Sequence, residues 1–482
     1  MRVSEYFGLD RNQPALDFLD VYVDRDVPLF IDPRAIRIQE TEWSKSCEAL
    51  LQSFFTEVLL ALVPTNYSRL TELLGELKEP NETHLGYSKT AGRGRGLGGV
   101  DAENLIQRLM ESPAAQSGLL SDLEDSALFV EGIDLDIMSD MTTHIIRGAL
   151  IGYTQRACSY YAIPMELQKS GPVWSPDALE WHEDQVELPS IDGERLLLVP
   201  RSIARKIPVL DRKKFYRRLV TEHLMDKEKD SASKLVQLLK SGDQEAYRKE
   251  LAMKYPASKL AIIEYSTEFE GALSKYKESL NKTSSPPLSH ENLARELDVP
   301  TPDYDQLLSD LRRVPAGNAG ATLYHRAAEK LLTALFYPHL ANVQLEKEIH
   351  EGRKRIDICY DNLSPYGTFF WLTTNYHAPV VPVECKNYAR DIENPELDQI
   401  SSRFSDRRGW VGMIVCRRLM KKDLFLKRCR DTAHDGRGYI LAFDDEDLVE
   451  MVKERKIAVS ESNKNRRALF KLVRERLDFL IS

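Results

Sequence analysis

The C-terminal third of the chain carries the clearest hydrophobic periodicity. Apolar residues spaced three and four apart predict a helix over 321–336, and short apolar runs follow near 343–349, 354–360 and 380–386. A helix over 394–405, a strand at 410–416, a helix at 420–430, a strand at 438–443 and further helices complete the order. This alternation predicts an α/β domain, a sheet flanked by helices. Within it, Arg355-Ile356-Asp357-Ile358 places a carboxylate in an alternating run, and Val380, Val381 and Val383 lead into Glu384 and Lys386. Residues two apart share a face of a strand, so Glu384 and Lys386 are expected to project side by side. Between these strands the aromatic stretch Phe369–Tyr376, with Trp371, reads as a packed hairpin in preference to a platform for stacking a base.

The pattern before residue 320 is less regular. Alternation over Leu16–Val23 and the run Pro28–Pro33 predict short extended pieces. Helical spacing covers 46–63 and 66–78, with apolar residues at 50, 51, 54, 55, 58 and 59. An acidic loop containing Asp134 and Asp136 feeds a helix running through Tyr161, for which Ser139 or Asp140 is the expected cap. A strand is expected at Arg195–Pro200, and residues 226–280 read as charged helices too irregular for a coiled coil. Breaks at Lys282–Pro287, Val299–Pro302 and Val314–Gly320 read as linker. The expected organisation is therefore a large, mostly helical α+β N-terminal region of unassigned fold over 1–280, serving sensing, gating or nucleic-acid binding. A linker over 281–320 and a catalytic domain over 321–482 follow. At 482 residues, more than one core is expected in any case.

Composition narrows the class. Hydrophobic residues at 42% and charged residues at 29% fit a globular protein, with no apolar run approaching a membrane span and no signal-peptide pattern at the start. Six scattered cysteines without C-x-x-C spacing read as reduced thiols of a cytoplasmic protein, and neither they nor the ten histidines suggest a zinc site. The net charge of −9 excludes an all-over basic surface but not a local one. Residues 401–430 hold ten Lys/Arg against Asp406 and Asp423. From this run Arg403, Arg407, Arg408, Arg417, Arg418, Lys421 and Lys422 are the expected phosphate contacts. A second basic run spans Arg201 to Arg218, opposed by Asp211 alone. Gly94, Gly96 and Gly99 satisfy G-x-G-x-x-G, but no strand leads into them and no G-K-[ST] follows. A flexible arginine-bearing loop is the better reading. The acidic run Asp17, Asp20, Asp24 and Asp26 is read as solvent-facing strand and turn residues, not a second cation site.

The candidate chemistry lies at Asp357, Glu384 and Lys386. Carboxylates on adjacent strands suit a hard divalent cation, and a neighbouring lysine can orient or deprotonate one of its waters and offset charge on a phosphate. The ordered set Asp357, a spacer over 358–383, then Glu384-Cys385-Lys386 resembles the PD-(D/E)xK nuclease superfamily. Glu329 on the upstream helix and Gln399 on the helix after the lysine strand match two peripheral positions of that superfamily, while Ile356 stands where its name has proline. The resemblance covers roughly residues 320–445. It implies a restriction-endonuclease-like mixed sheet and Mg²⁺, with Mn²⁺ able to substitute, held by Asp357, Glu384 and the backbone carbonyl of Cys385. Catalytic roles would fall to Asp357, Glu384, Lys386, Gln399 and Glu329. The Cys385 side chain itself should be a small buried apolar group. A DNA endonuclease acting as a homodimer is implied. By analogy it would serve as a restriction or phage-defence effector, with a partner protein from such a system. Two other readings remain open: a nuclease of RNA or single strands, and a non-catalytic nucleic-acid-binding or sensor module.

Overall fold

The computed structural model describes all residues except 40, 64, 78–79, 87–98, 230–232, 283–285, 350–352 and 461–469. Gly94 and Gly96 of the glycine-rich loop lie outside the described residues. The chain divides into two compact units, Met1–Val3 with Val21–Val199 and Ile203–Ser285, and Ser4–Asp20 with Pro200–Ser202 and Pro286–Ser482.

The first unit is mostly helical. Its longest helix, Glu42–Leu62, starts where the Thr41 side chain accepts the Ser44 N–H, and it buries Cys47, Leu51, Phe54, Phe55 and Val58 along one stripe. The remaining sheet structure is two-stranded, as in Phe30–Ile31 against Ala204–Arg205. Helix Leu135–Ile145 is capped by Asp134, which accepts the Ile137 N–H, and not by Ser139 or Asp140. Those two lie inside the helix, where Ser139 Oγ accepts the Ile31 N–H at 2.9 Å. The expected strand at 195–200 shrinks to Glu194–Arg195, because Leu197 N–H turns to Glu82 O and Leu198 N–H to Thr154 Oγ1.

The second unit is a mixed α/β layer structure. Its main stretch opens with α1 (His290–Leu297) and α2 (Tyr304–Arg313), so the proline-punctuated stretch read as linker holds two helices, and Tyr304, Leu308 and Leu311 enter the core. Next come α3 (Ala321–Phe336), β1 (Leu340–Ile349), β2 (Lys354–Asn362), α4 (Gly367–Tyr376), β3 (Val380–Lys386), α5 (Asn394–Ser401), β4 (Val411–Cys416), α6 (Lys422–His434), β5 (Tyr439–Asp444), α7 (Asp445–Ser460) and α8 (Lys471–Ile481). The five strands lie in the order β5-β4-β3-β2-β1. β1, β2 and β3 are antiparallel neighbours, while β3, β4 and β5 are parallel and joined through α5 and α6. Every residue of β4 is buried, as a strand covered on both faces requires.

Two expectations are corrected in this unit. The aromatic stretch is the helix α4, not a hairpin: Phe369 and Leu372, three apart, are buried on one side and Phe370 is exposed on the other. Trp371 packs on Tyr376 and under the Arg474 guanidinium, 3.5 Å from the ring centroid. The alternating run 16–23 forms only isolated bridges among the described residues. The Gln13 side chain takes the Phe18 carbonyl and the Asp20 N–H, where ladder partners would otherwise stand. Its aspartates are intrachain acceptors, Asp20 for Ser4 N–H and Oγ–H, and Asp17 for the Val343 N–H.

Candidate active site

The register of β2 against β3 ends at Ile358 opposite Val383, so Asp357 and Glu384 are the next residues outward on neighbouring strands. The side chain of Asp357 is 20% exposed, and its Oδ2 accepts the Cys385 N–H at 2.8 Å. Glu384 is fully buried, and three side chains converge on it. Its Oε2 accepts Gln399 Nε2 at 2.7 Å and Lys386 Nζ at 3.2 Å, and its Oε1 accepts Arg403 Nε at 3.1 Å. The local sequence explains this convergence. Lys386 ends β3 two residues after Glu384, and Gln399 lies on α5, whose start is fixed by the Glu393–Glu396 capping box with Pro395 in the first turn. Arg403 follows Gln399 by four residues, about one helical turn, just past the end of α5.

The charges are mutually dependent. Burial, with the negative Asp357 alongside, raises the Glu384 carboxyl above its ordinary range, against the pull of Lys386 and Arg403. Burial works to lower the Lys386 ammonium, but Glu384 and Asp357 outweigh it, so Lys386 titrates above its ordinary value and stays protonated. The Cys385 thiol is pushed well up by burial, as fits a small apolar core residue.

Glu329 is buried on α3, with Oε2 2.5 Å from Arg11 NH1 and Oε1 accepting the Thr333 hydroxyl at 3.2 Å. One turn earlier on the same helix, His325 Nε2 lies 2.9 Å from the Cys385 carbonyl and 3.8 Å from Asp357 Oδ2. His325 and Arg11 were not anticipated from the sequence. The spacing of His325 four residues before Glu329 was the available signal for the first, and nothing local marked the second.

The basic run is divided in its use. Arg403 is buried against Glu384, and Arg408 Nε donates to the Arg403 carbonyl at 2.7 Å. Arg417 bonds Asn387, Leu311, Val314 and Asp445 and stacks on Tyr324, while Lys422 pairs with Asp444 and Asp447. Arg407, Arg418 and Lys421 are exposed. In the other basic run Arg201 is fully buried in the second unit, over the Tyr337 ring. Lys213, Lys214 and Arg217 are exposed on a helix of the first unit.

Asp357 and Glu384 are the oxygen ligands here that could hold Mg²⁺ or Mn²⁺ with waters completing the shell, while the Cys385 carbonyl, the third expected ligand, faces His325 Nε2. No group of three or more His, Cys, Asp or Glu side chains is placed to hold a metal among the described residues.

The second unit is thus a mixed α/β domain with a carboxylate–lysine cluster where the pairing of two sheet strands ends. In the comparisons with known proteins, a family model described as a domain of unknown function (DUF8370) matches residues 8–211. No curated protein and no solved structure matches the chain. No helix among the described residues is long and apolar enough to cross a membrane.

Proposed function

We propose that the second unit is a metal-dependent nuclease of the PD-(D/E)xK, restriction-endonuclease-like type that hydrolyses phosphodiester bonds, with DNA as substrate. The observation that carries this reading is the convergence of Lys386, Gln399 and Arg403 on Glu384, beside Asp357 on the adjoining strand. When bound, Mg²⁺ supplies Lewis-acid stabilisation of phosphate charge and acidifies a water. Asp357, the more exposed carboxylate, would hold the ion together with Glu384. Glu384 is fixed in orientation by Gln399 and Arg403. Lys386 positions or activates the attacking water and offsets charge developing on the scissile phosphate. Cutting both strands of a duplex calls for two sites, so we place the active form as a homodimer in the cytoplasm. The first unit would provide sensing, gating or nucleic-acid binding for a restriction or phage-defence effector.

The test uses the full chain on plasmid, linear duplex, single strands and RNA with Mg²⁺. Asp357→Ala, Glu384→Ala and Lys386→Ala are each expected to abolish cleavage without unfolding the protein. Wild-type rates in EDTA, or in Lys386→Ala, would refute the mechanism. The panel of substrates also decides between DNA and RNA. A second reading, a non-catalytic binding or sensor module, draws on one observation: Glu384 is closed to solvent and already satisfied by three donors, as in a structural ion-pair cluster. Failure to bind or cut with either Mg²⁺ or Mn²⁺ would favour it.

A further inference from the structure

The first unit contains an amphipathic cleft of about 160 Å³. Its walls are Ala127, Leu128, Leu135, Met138, Pro208 and Leu210, of which Ala127, Leu135 and Pro208 are only partly buried, so apolar surface faces the opening. The rim carries Asp134 and Asp211, which cap the helices Leu135–Ile145 and Arg212–Leu219, and Arg212 and Lys213 from the start of the second helix. Capping fixes both aspartates: Asp134 Oδ1 accepts the Ile137 N–H at 3.2 Å, and Asp211 Oδ1 accepts the Lys214 N–H at 2.7 Å. Among the described residues the second oxygen of each takes no donor. Arg212 and Lys213, on the same rim, likewise have no carboxylate within 4.0 Å among the described residues. Two anions and two cations thus border one cleft without closing on each other. Such an arrangement fits a ligand that carries both charges on one short scaffold with an apolar group beside them. The positive ends of the two helices reinforce Arg212 and Lys213 as the place for its negative group. The volume lies below the roughly 300–1,000 Å³ of clefts that enclose drug-sized ligands. It suits one amino acid and is too small for a nucleotide.

We propose that this cleft binds a free α-amino acid with an apolar side chain, the walls taking the side chain, Asp134 and Asp211 the ammonium, and Arg212 and Lys213 the carboxylate. The site lies wholly within the first unit and goes beyond the nuclease reading, on which it does not depend.

The experiment is calorimetric titration of the full-length protein with L-leucine, L-isoleucine, L-methionine and L-phenylalanine, with thermal melting as the check on folding. At least one of the four is expected to bind saturably, one molecule per chain, with a Kd below about 1 mM. Its amide, which lacks the carboxylate, and its N-acetyl derivative, which lacks the ammonium, should each bind about tenfold or more weaker. Glycine, which keeps both charges but has no side chain to bury, should lose about tenfold or more as well. Asp134→Asn and Asp211→Asn preserve the helix caps, since asparagine caps equally well, and with Arg212→Gln they should weaken binding without lowering the melting temperature of the free protein. The analogues are tested on wild type, so the comparison stands even where a variant fails to fold. No saturable binding of any of the four amino acids overturns the inference. Equal binding of the amino acid, its amide and its N-acetyl derivative does so too, because the cleft would then be a contact for apolar groups alone. Unchanged affinity in folded Asp134→Asn and Arg212→Gln has the same consequence. DNA cleavage is no part of the readout, so a negative result here leaves the nuclease reading where it stands.

Discussion

Replacing Arg403 with methionine separates two roles that the sequence alone does not distinguish. As a phosphate contact, Arg403 would be dispensable to the fold. In the structure it is buried, and its Nε supplies Glu384 Oε1 at 3.1 Å while Lys386 and Gln399 share Oε2. Stranding a buried charge entirely costs about 3–5 kcal/mol. Because two donors remain on the carboxylate, the expected loss is that of one hydrogen bond to a charged group, about 1.5–3 kcal/mol. For a domain of ~150–250 residues each kcal/mol moves the melting temperature by about 2–4 °C, so a fall of about 3–12 °C is expected. Calorimetry on wild type, Arg403→Met, Glu384→Gln and the double variant closes a thermodynamic cycle, and a coupling above about 1 kcal/mol is expected between the pair. Anisotropy titrations of duplex DNA across a salt series run beside it. An Arg403→Met protein that melts like wild type, and whose salt slope falls by about one unit, would show that Arg403 faces phosphate. The description of the cluster would then be wrong.

The other predictions divide the molecule. Arg407, Arg418 and Lys421, changed together to glutamine, should shift stability by no more than about 0.5 kcal/mol while reducing the salt slope of DNA binding by about 0.9 for each phosphate no longer neutralised. An unchanged slope removes them from the interface. Lys422→Ala should do the reverse, costing about 0.5–1 kcal/mol through its pairs with Asp444 and Asp447 with no change in slope. Burial carries Glu124 of the first unit up to about 7, with Asp125 and Asp122 adding to the rise and Arg37 opposing it. The folded state therefore holds this proton more tightly than the unfolded one. Its contribution is fully present below the ordinary carboxylate range and is lost as pH rises toward and through about 7. Urea midpoints between about pH 5 and 8 should show that fall, and Glu124→Gln should flatten it. Gly412→Ala brings a Cβ to 2.9 Å from Phe404 Cε1, 3.0 Å from Ile400 Cδ1 and 3.1 Å from the Pro382 carbonyl, and should cost about 1–3 kcal/mol in a denaturant titration.

The strands and helices of the second unit were legible because Val380–Val383 and 411–416 are continuous apolar runs with charged ends, which fixes both their type and their limits. Gln399 was singled out only by the resemblance, on the helix after the lysine strand. The α4 region misled because Phe, Trp, Thr and Tyr favour strands locally, and only the burial of Phe369 and Leu372 overrides that preference. Charge density showed where lysines and arginines cluster but not which turn inward. Arg403 and Arg417 are held by acceptors that only the folded chain brings near. Arg11 was out of reach altogether, 318 residues from the carboxylate it holds. The prolines at 300, 302 and 315 bound helices, so punctuation strong enough to suggest a tether instead separates packed elements.

The chain visits its C-terminal unit before it has finished the N-terminal one. A gene fragment beginning at codon 286 would encode every strand of the sheet, yet its product would lack the Asp10 and Arg11 clasps on α3 and the Arg201 side chain that roofs Tyr337. Recombination at the apparent seam would therefore deliver an incomplete second unit, and the two halves are expected to travel through evolution, and to be expressed in the laboratory, only together.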